Sequence, residues 1–309
     1  MRAALVLSMA LATAPAFAAT RGKMGFALGT KNPDGTCKFK ADYEKDFDAI
    51  KADSGSTIVR GYSASDCNAA KEMLPAAKSK GFQVVLGVWP DVEESFQTDK
   101  TALTTYVPQY KDQVYAVTVG SEALYRGNFT GEELLEKIMD VKKALGGDVK
   151  VGTADSWNKF ADGTGDAVIK GGVDIILANG FSYWQGKAAG KDATYTYFDD
   201  MDQALGHIQQ VSGSIDKIEF WNGETGWPTD GGSDYEAAKA GTDNAKQFYD
   251  EAFCGLLDWG VNAFWFEAFD ETWKPDSIGD NGVAKIETKW GAMTDQREPK
   301  YSLKCGSSL

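Results

Sequence analysis

Tyr115-Ala-Val-Thr-Val-Gly-Ser-Glu122 and Lys217-Ile-Glu-Phe-Trp-Asn-Gly-Glu224-Thr-Gly-Trp-Pro228 are built alike. Each opens as a β-prone hydrophobic run, turns polar at its C-terminal end and arrives at a glutamate. Six further runs of the same character, at 23–29, 57–64, 83–89, 150–157, 174–184 and 261–269, bring the set to eight. Polar, amphipathic stretches separate them. Strands alternating with helices predict a parallel sheet, and right-handed crossovers over eight repeats predict closure into a single (β/α)8 TIM barrel. A doubly wound sheet would announce itself by a Gly-rich phosphate loop after the first strand. Gly29-Thr-Lys-Asn-Pro-Asp-Gly35 has no G-x-G-x-x-G pattern, so no nucleotide cofactor is expected.

The helix best marked in the sequence covers 130–145. Thr130 and Glu133 make a capping box, apolar Leu134, Leu135, Ile138, Val141 and Leu145 recur at helical spacing, and Gly146-Gly147 ends the run. Further helices are expected at 42–52, 66–80, 198–211 and 234–258. The Gly-rich stretch after Trp157 leaves room for only a short one.

Residues 1–18 read as a secretory leader: Arg2, an apolar run over 3–14 and the small-x-small site Ala16-Phe17-Ala18. The run falls short of the roughly 20 residues that span a bilayer. Residues 19–309 are then one barrel domain, since no linker or low-complexity block interrupts them and such barrels use about 250 residues. The expected location is extracellular or the cell wall, free of the membrane, as a monomer. A formal net charge of −13 repels phosphate backbones, so nucleic acid is not an expected partner.

Four cysteines in an exported chain favour two disulfides. Three pairings are open, and proximity suggests Cys37 with Cys67 and Cys254 with Cys305. Zinc is disfavoured by the wide spacings and by the presence of one histidine, His207. No metal is expected. Asn128-Phe-Thr130 is a glycosylation sequon, although Thr130 is also the expected helix cap.

Barrel enzymes place their chemistry at the C-terminal strand ends. Here those ends carry Arg60-Gly-Tyr62, Trp89-Pro-Asp91, Glu122, Asp155-Ser-Trp157, Asn179-Gly-Phe-Ser-Tyr183-Trp184, Glu224 and Trp265-Phe-Glu267. Glu122 and Glu224 would meet at one mouth, and two carboxyl groups across a sugar are the minimum equipment for breaking a glycosidic bond. Tyr62, Trp157, Tyr183, Trp227 and Trp273 are candidate sugar platforms. By alternation Glu267 should share an inward face with Trp265 and Phe269, as a substrate contact or a structural ion pair. No G-x-S-x-G appears, so serine hydrolysis is not supported.

At these residues the chain resembles glycoside hydrolase family 17, the β-1,3-glucanases, and within it the fungal cell-wall branch that includes transglucosylases. The resemblance runs from about Lys23 to the C-terminus. It is carried by Val119-Gly-Ser-Glu-Ala-Leu-Tyr-Arg126, Gly223-Glu-Thr-Gly-Trp-Pro-Thr229 and Trp265-Phe-Glu-Ala-Phe-Asp-Glu-Thr-Trp-Lys-Pro275. It implies a retaining glycosidase acting on β-1,3-glucan, with Glu122 as acid/base and Glu224 as nucleophile. The wider clan has Asn before the acid/base. Ser121 holds that place here and can donate the same bond to a sugar hydroxyl with a shorter reach. Transglucosylation with the same residues is the alternative. A non-catalytic glucan-binding wall protein is the third reading, disfavoured by the presence of both carboxylates.

Overall fold

The computed structural model describes residues 20–214, 216–230, 234–275, 277–278, 284–285 and 287–306. The expected leader lies outside them. Eight strands form a closed parallel barrel in chain order: β1 Met24–Ala27, β2 Ile58–Arg60, β3 Gln83–Val88, β4 Val114–Ser121, β5 Lys150–Ser156, β6 Ile175–Asn179, β7 Glu219–Thr225 and β8 Asn262–Trp265. The ring closes where β1 pairs with β8, Met24 against Ala263 and Phe26 against Trp265. Each strand falls on an expected run, generally in a shorter form. Many of the polar ends leave the ladder and become the mouth.

The barrel axis is filled by Ile58, Val85, Ala116, Ala154, Ile175, Leu177, Trp221 and Phe264. Trp221 stacks on Phe264 with centroids 4.9 Å apart. A Cβ on Gly25 would sit 2.4 Å from the Phe264 ring, so β1 needs glycine there. At the N-terminal end Glu219 accepts from Trp221 Nε1 at 2.7 Å and from the Tyr115 hydroxyl and Lys150. The cleft that holds Glu122 and Glu224 lies at the opposite end.

A second, larger core lies between the barrel and its helices. Helix α1, Lys40–Ser54, buries Tyr43, Phe47 and Ile50, and Phe47 stacks on Phe82 at 4.4 Å. Fully burying such a side chain stabilises by about 1.5–3 kcal/mol. Helix α2 covers Ala69–Lys80 behind a short 3-10 turn at Asp66–Asn68. Helix α3, Glu93–Tyr106, was not anticipated. Its threonines lower helix propensity, and Thr98, Thr101 and Thr105 bond back to carbonyls four residues earlier. Helix α4, Gly131–Ala144, has the expected capping box: Thr130 Oγ1 accepts from Glu133 N at 3.2 Å and Glu133 Oε2 from Thr130 N at 2.8 Å.

After β5 the connection is reduced to α5, Trp157–Ala161, and α6, Asp166–Lys170. Helix α7 runs Lys191–Ser212, longer at its start than expected, and carries His207, whose ring contacts Asp166 at 2.8 Å. The helix expected over 234–258 begins only at Thr242, as α8, Thr242–Phe248, and passes through a π turn, Tyr249–Phe253, into α9, Cys254–Asp258. Gly241 at φ 151° is far from helical backbone. Before it Tyr235 and Ala238 form a tight bridged turn instead.

Cys37 is bonded to Cys67 and Cys254 to Cys305, the pairing that proximity suggested. Among the described residues no helix is long and apolar enough to cross a membrane. The Cys254–Cys305 bond, spanning 51 residues, ties the C-terminal segment to α9. Replacing both cysteines by serine should lower stability by about 2–4 kcal/mol, seen as a fall in the urea midpoint, with a somewhat larger m-value because the freed unfolded chain exposes more surface.

Candidate active site

Both glutamates emerge where the sheet register breaks. The β4–β5 pairing shifts between Thr118 and Ser121, and the β7–β8 pairing between Asn222 and Thr225. Such irregularities re-aim the side chains next to them. Glu122 follows Gly120 at φ 87° and itself has φ 56°. Glu224 stays in β7, and its main-chain carbonyl accepts from Asn222 Nδ2 at 3.0 Å.

Arg60, at the end of β2 and fully buried, joins the two. Its Nη1 donates to Glu224 Oε1 at 2.9 Å, to the Gly223 carbonyl at 2.8 Å and to Asn179 Oδ1 at 3.4 Å, while Nη2 donates to Ser121 Oγ at 3.3 Å. Asn179 Nδ2 in turn donates to Glu122 Oε1 at 3.1 Å. A Cβ at Gly223 would lie 2.6 Å from Asn179 Oδ1, so this crossing point requires glycine. The Tyr62 ring lies 4.9 Å from the Arg60 guanidinium carbon. Burial and the neighbouring Glu224 charge hold its hydroxyl well above the ordinary phenol range.

The two carboxyl groups live in different electrostatic surroundings. Burial, then the negative charge of Glu224, pushes Glu122 up to about 7. Glu224 faces the Arg60 guanidinium directly, at 2.9 Å. One group can carry a proton at neutral pH while the other has a cation to balance its charge.

Both line a cleft of about 400 Å³. Its lining includes the amides Asn158, Asn179 and Gln185 and the aromatics Phe181, Trp184, Phe266 and Trp290, with Tyr125, Trp157, Tyr235 and Glu287. Trp184 stacks on Trp290 at 5.5 Å and Phe181 meets Trp290 edge-on at 5.6 Å. Among the described residues no cluster of acidic, histidine or cysteine side chains could hold a metal.

Of the other residues singled out in the sequence, Trp157 lines the cleft and Ser121 lies under it, its hydroxyl engaged by Arg60. Tyr183 and Trp227 are a correction. Both are fully buried, with no surface left for a sugar. Tyr183 packs edge-on against Trp184, Trp227 and Trp290, so it backs the lining aromatics. Glu267 is buried in an ion pair with Lys274 at 2.6 Å, which also reaches Glu271 at 2.9 Å. The structural half of its dual expectation fits that position. Trp273 lies off the cleft, its ring under Lys31 at 4.8 Å. Asn128 is exposed, with Nδ2 donating to Asp91 at 2.8 Å.

Arg60 and Asn179 stand in the quoted strand ends, and a buried cation near two acids could have marked them. Tyr235 and Trp290 lie outside the strands, and no local pattern points to them.

A (β/α)8 barrel with two glutamates facing one cleft defines the architecture of a glycoside hydrolase. Residues 25–291 match the model of the BtgE/BtgC glycoside hydrolase domain, and the chain belongs to that family. It is 57% identical to a glucan 1,3-beta-glucosidase of Arthroderma benhamiae, over 99% of this chain and 98% of the relative. It is 44% identical to a glucan 1,3-beta-glucosidase of Saccharomyces cerevisiae, over the full length of both. Among solved structures it resembles a glycoside hydrolase family 17 beta-1,3-glucanosyltransferase from Rhizomucor miehei, with TM-score 0.78 and 26% identity over 91% of this chain and 97% of the other.

The raised Glu122 pKa has a consequence for stability. Between the ordinary carboxyl value and about 7 the folded chain binds a proton that the unfolded chain has lost. This contribution therefore weakens as pH rises through that window and is fully lost above it. Glu122→Gln should melt higher than the parent at pH 8, by about 2–4 °C for each kcal/mol relieved. The difference should vanish at pH 4, as calorimetry at the two pH values would show.

Proposed function

We propose that the chain is a retaining glycosidase of β-1,3-glucan, with Glu224 as nucleophile and Glu122 as acid/base. The observation that carries this reading is the pair of glutamates on one cleft, linked through Arg60 and Asn179, with the proton favoured on Glu122. The substrate class is supported by the names of the relatives, glucan 1,3-beta-glucosidases.

In the first step a Glu224 oxygen forms a bond to the anomeric carbon as its bond to the leaving oxygen breaks, and the Glu122 proton passes to that oxygen. Glu122, now a carboxylate, takes a proton from the incoming hydroxyl. That hydroxyl displaces Glu224 and restores both groups. Arg60 holds Glu224 in place for attack. Asn179, donating to Glu122 Oε1, leaves Oε2 as the oxygen that can carry the proton to the leaving group.

A second reading, transfer to another glucan chain, has its own support. Trp184, partly exposed on the cleft and stacked on the buried Trp290, offers an apolar face on which an acceptor sugar could lie, and the Rhizomucor miehei neighbour is a glucanosyltransferase. Sizing the products from laminari-oligosaccharides separates the readings: longer chains mean transfer, shorter ones hydrolysis. Unchanged substrate with retained binding would mean neither. We also infer an extracellular or cell-wall setting, to which two disulfides are suited.

Glu224→Ala should abolish turnover, and with azide and an activated β-glucoside it should yield the α-glycosyl azide. Glu122→Ala should lose roughly 10²–10⁴-fold on glucan and yield the β-azide. The opposite products would exchange the two roles. In the unmodified enzyme kcat/KM should fall as pH rises above about 7, where Glu122 loses its proton.

A further inference from the structure

Asp155 stands in β5, fully buried, and lines none of the cleft. Its carboxylate accepts three backbone N–H groups: Leu124 at 2.7 Å, Tyr125 at 3.1 Å and Ser156 at 2.9 Å. Two of these belong to the tight turn that begins at Glu122. That turn closes through Arg126 N to the Glu122 carbonyl at 2.9 Å and Asn128 N to the Ala123 carbonyl at 3.0 Å. A single turn leaves its first amides without backbone partners. A carboxylate is a strong acceptor for them, and here it comes from the neighbouring strand.

The same turn is held from its solvent side. Arg126 Nη1 donates to the Ser121 carbonyl at 2.5 Å, Nη2 pairs with Asp91 at 2.9 Å, and the guanidinium carbon lies 5.0 Å from the Trp89 ring centroid. Glu122 is therefore fixed on both flanks. Its left-handed backbone, φ 56°, costs about 1–2 kcal/mol for a residue with a Cβ. Such a conformation persists where its surroundings over-determine it.

We propose that Asp155 is a positioning residue for Glu122, and that Arg126 is the outer half of the same clamp. The inference rests on the assignment of Glu122 as the acid. Asp155 aims the Glu122 carboxyl by fixing the peptide that carries it, and touches neither substrate nor reacting atoms. The inner half cannot yield, because Asp155 is locked in the barrel wall. The outer half is partly exposed, with about a third of the Arg126 side chain in solvent.

The test uses two substrates that differ in their need for an acid. Cleaving laminaripentaose expels a sugar alkoxide, which must be protonated as it leaves. Cleaving 2,4-dinitrophenyl β-laminaribioside expels a phenolate that needs no proton. For both, kcat/KM covers the steps through bond cleavage. Asp155→Asn keeps the shape of the side chain but turns one acceptor oxygen into a nitrogen that cannot accept. Arg126→Gln loosens the turn from the exposed side, where folding is not at stake.

In both variants kcat/KM on laminaripentaose should fall about 10–100-fold, chiefly through kcat. On the dinitrophenyl substrate it should change by about threefold or less. Equal losses on the two substrates, or no loss on laminaripentaose, would overturn the positioning role, because a merely structural defect does not distinguish leaving groups. Glu122→Gln belongs in the same assay. If it discriminates between leaving groups while the other two variants do not, the clamp alone is refuted. If it does not, the acid assignment falls and the clamp with it.

Discussion

One buried cation organises the mouth of this barrel. The Arg60 guanidinium is almost wholly removed from water, and a charge there is tolerated only if it is paired and hydrogen-bonded. Its partners come from three other strands: Ser121 on β4, Asn179 on β6, and both Gly223 and Glu224 on β7. The need to satisfy one guanidinium thus sets the relative heights of four strand ends. Removing it would leave Glu224 as an uncompensated buried charge, a far larger penalty than losing a surface pair. This is why Gly223 cannot acquire a side chain and why the Asn179 amide is oriented as it is. Its oxygen faces the cation and its nitrogen the other glutamate.

The closed end of β7 and the open end of β4 show how context gives similar side chains different properties. Glu219 is half buried, and burial pushes its carboxyl up. Bonds from Lys150, Tyr115 and Trp221 outweigh that and hold it below the ordinary range. Such a group locks the closed end. At the open end Glu122 has burial and a second carboxylate acting together, with Asn179 opposing them only in part. Trp221 and Gly223 face the barrel interior by simple alternation. Glu224 reaches the cleft because the register breaks between Asn222 and Thr225. A regular strand would have sent it to the other face.

That break also marks the limit of what the sequence could convey. Strand positions, the capping box at Thr130 and the disulfide pairing follow from local chemistry, and local chemistry is legible. Glu122 and Glu224 were legible because each ends a polar-tipped strand inside a distinctive motif. The aromatics were not. Tyr183 and Trp184 are neighbours in the chain, yet the first is walled in and the second lines the cleft. Only the packing of Trp290, which arrives from beyond the last barrel strand, decides between them. The segment before Thr242 has a composition suited to helix, but Gly241 and the bridged turn at Tyr235 override it. There tertiary placement of a cleft residue outweighs local propensity.

The mixed lining of the cleft matters for the fate of a glycosyl-enzyme. Phe181, Trp184, Phe266 and Trp290 form one contiguous aromatic group on a lining that also carries amides and acids. A pyranose ring has the same duality, with C–H faces and a rim of hydroxyls, so the lining can hold it in one orientation. Water has no apolar face and gains nothing from the aromatic wall. Whatever affinity that wall provides therefore favours a sugar over water as the group that meets the Glu122 carboxylate. In the transfer reading Trp184, the exposed member of its stack with the buried Trp290, is the face such a sugar would meet. Tyr183 packs edge-on against both, with Phe181 and Phe266 on Trp290 and Tyr235 on Trp184, so that face is held from several sides at once.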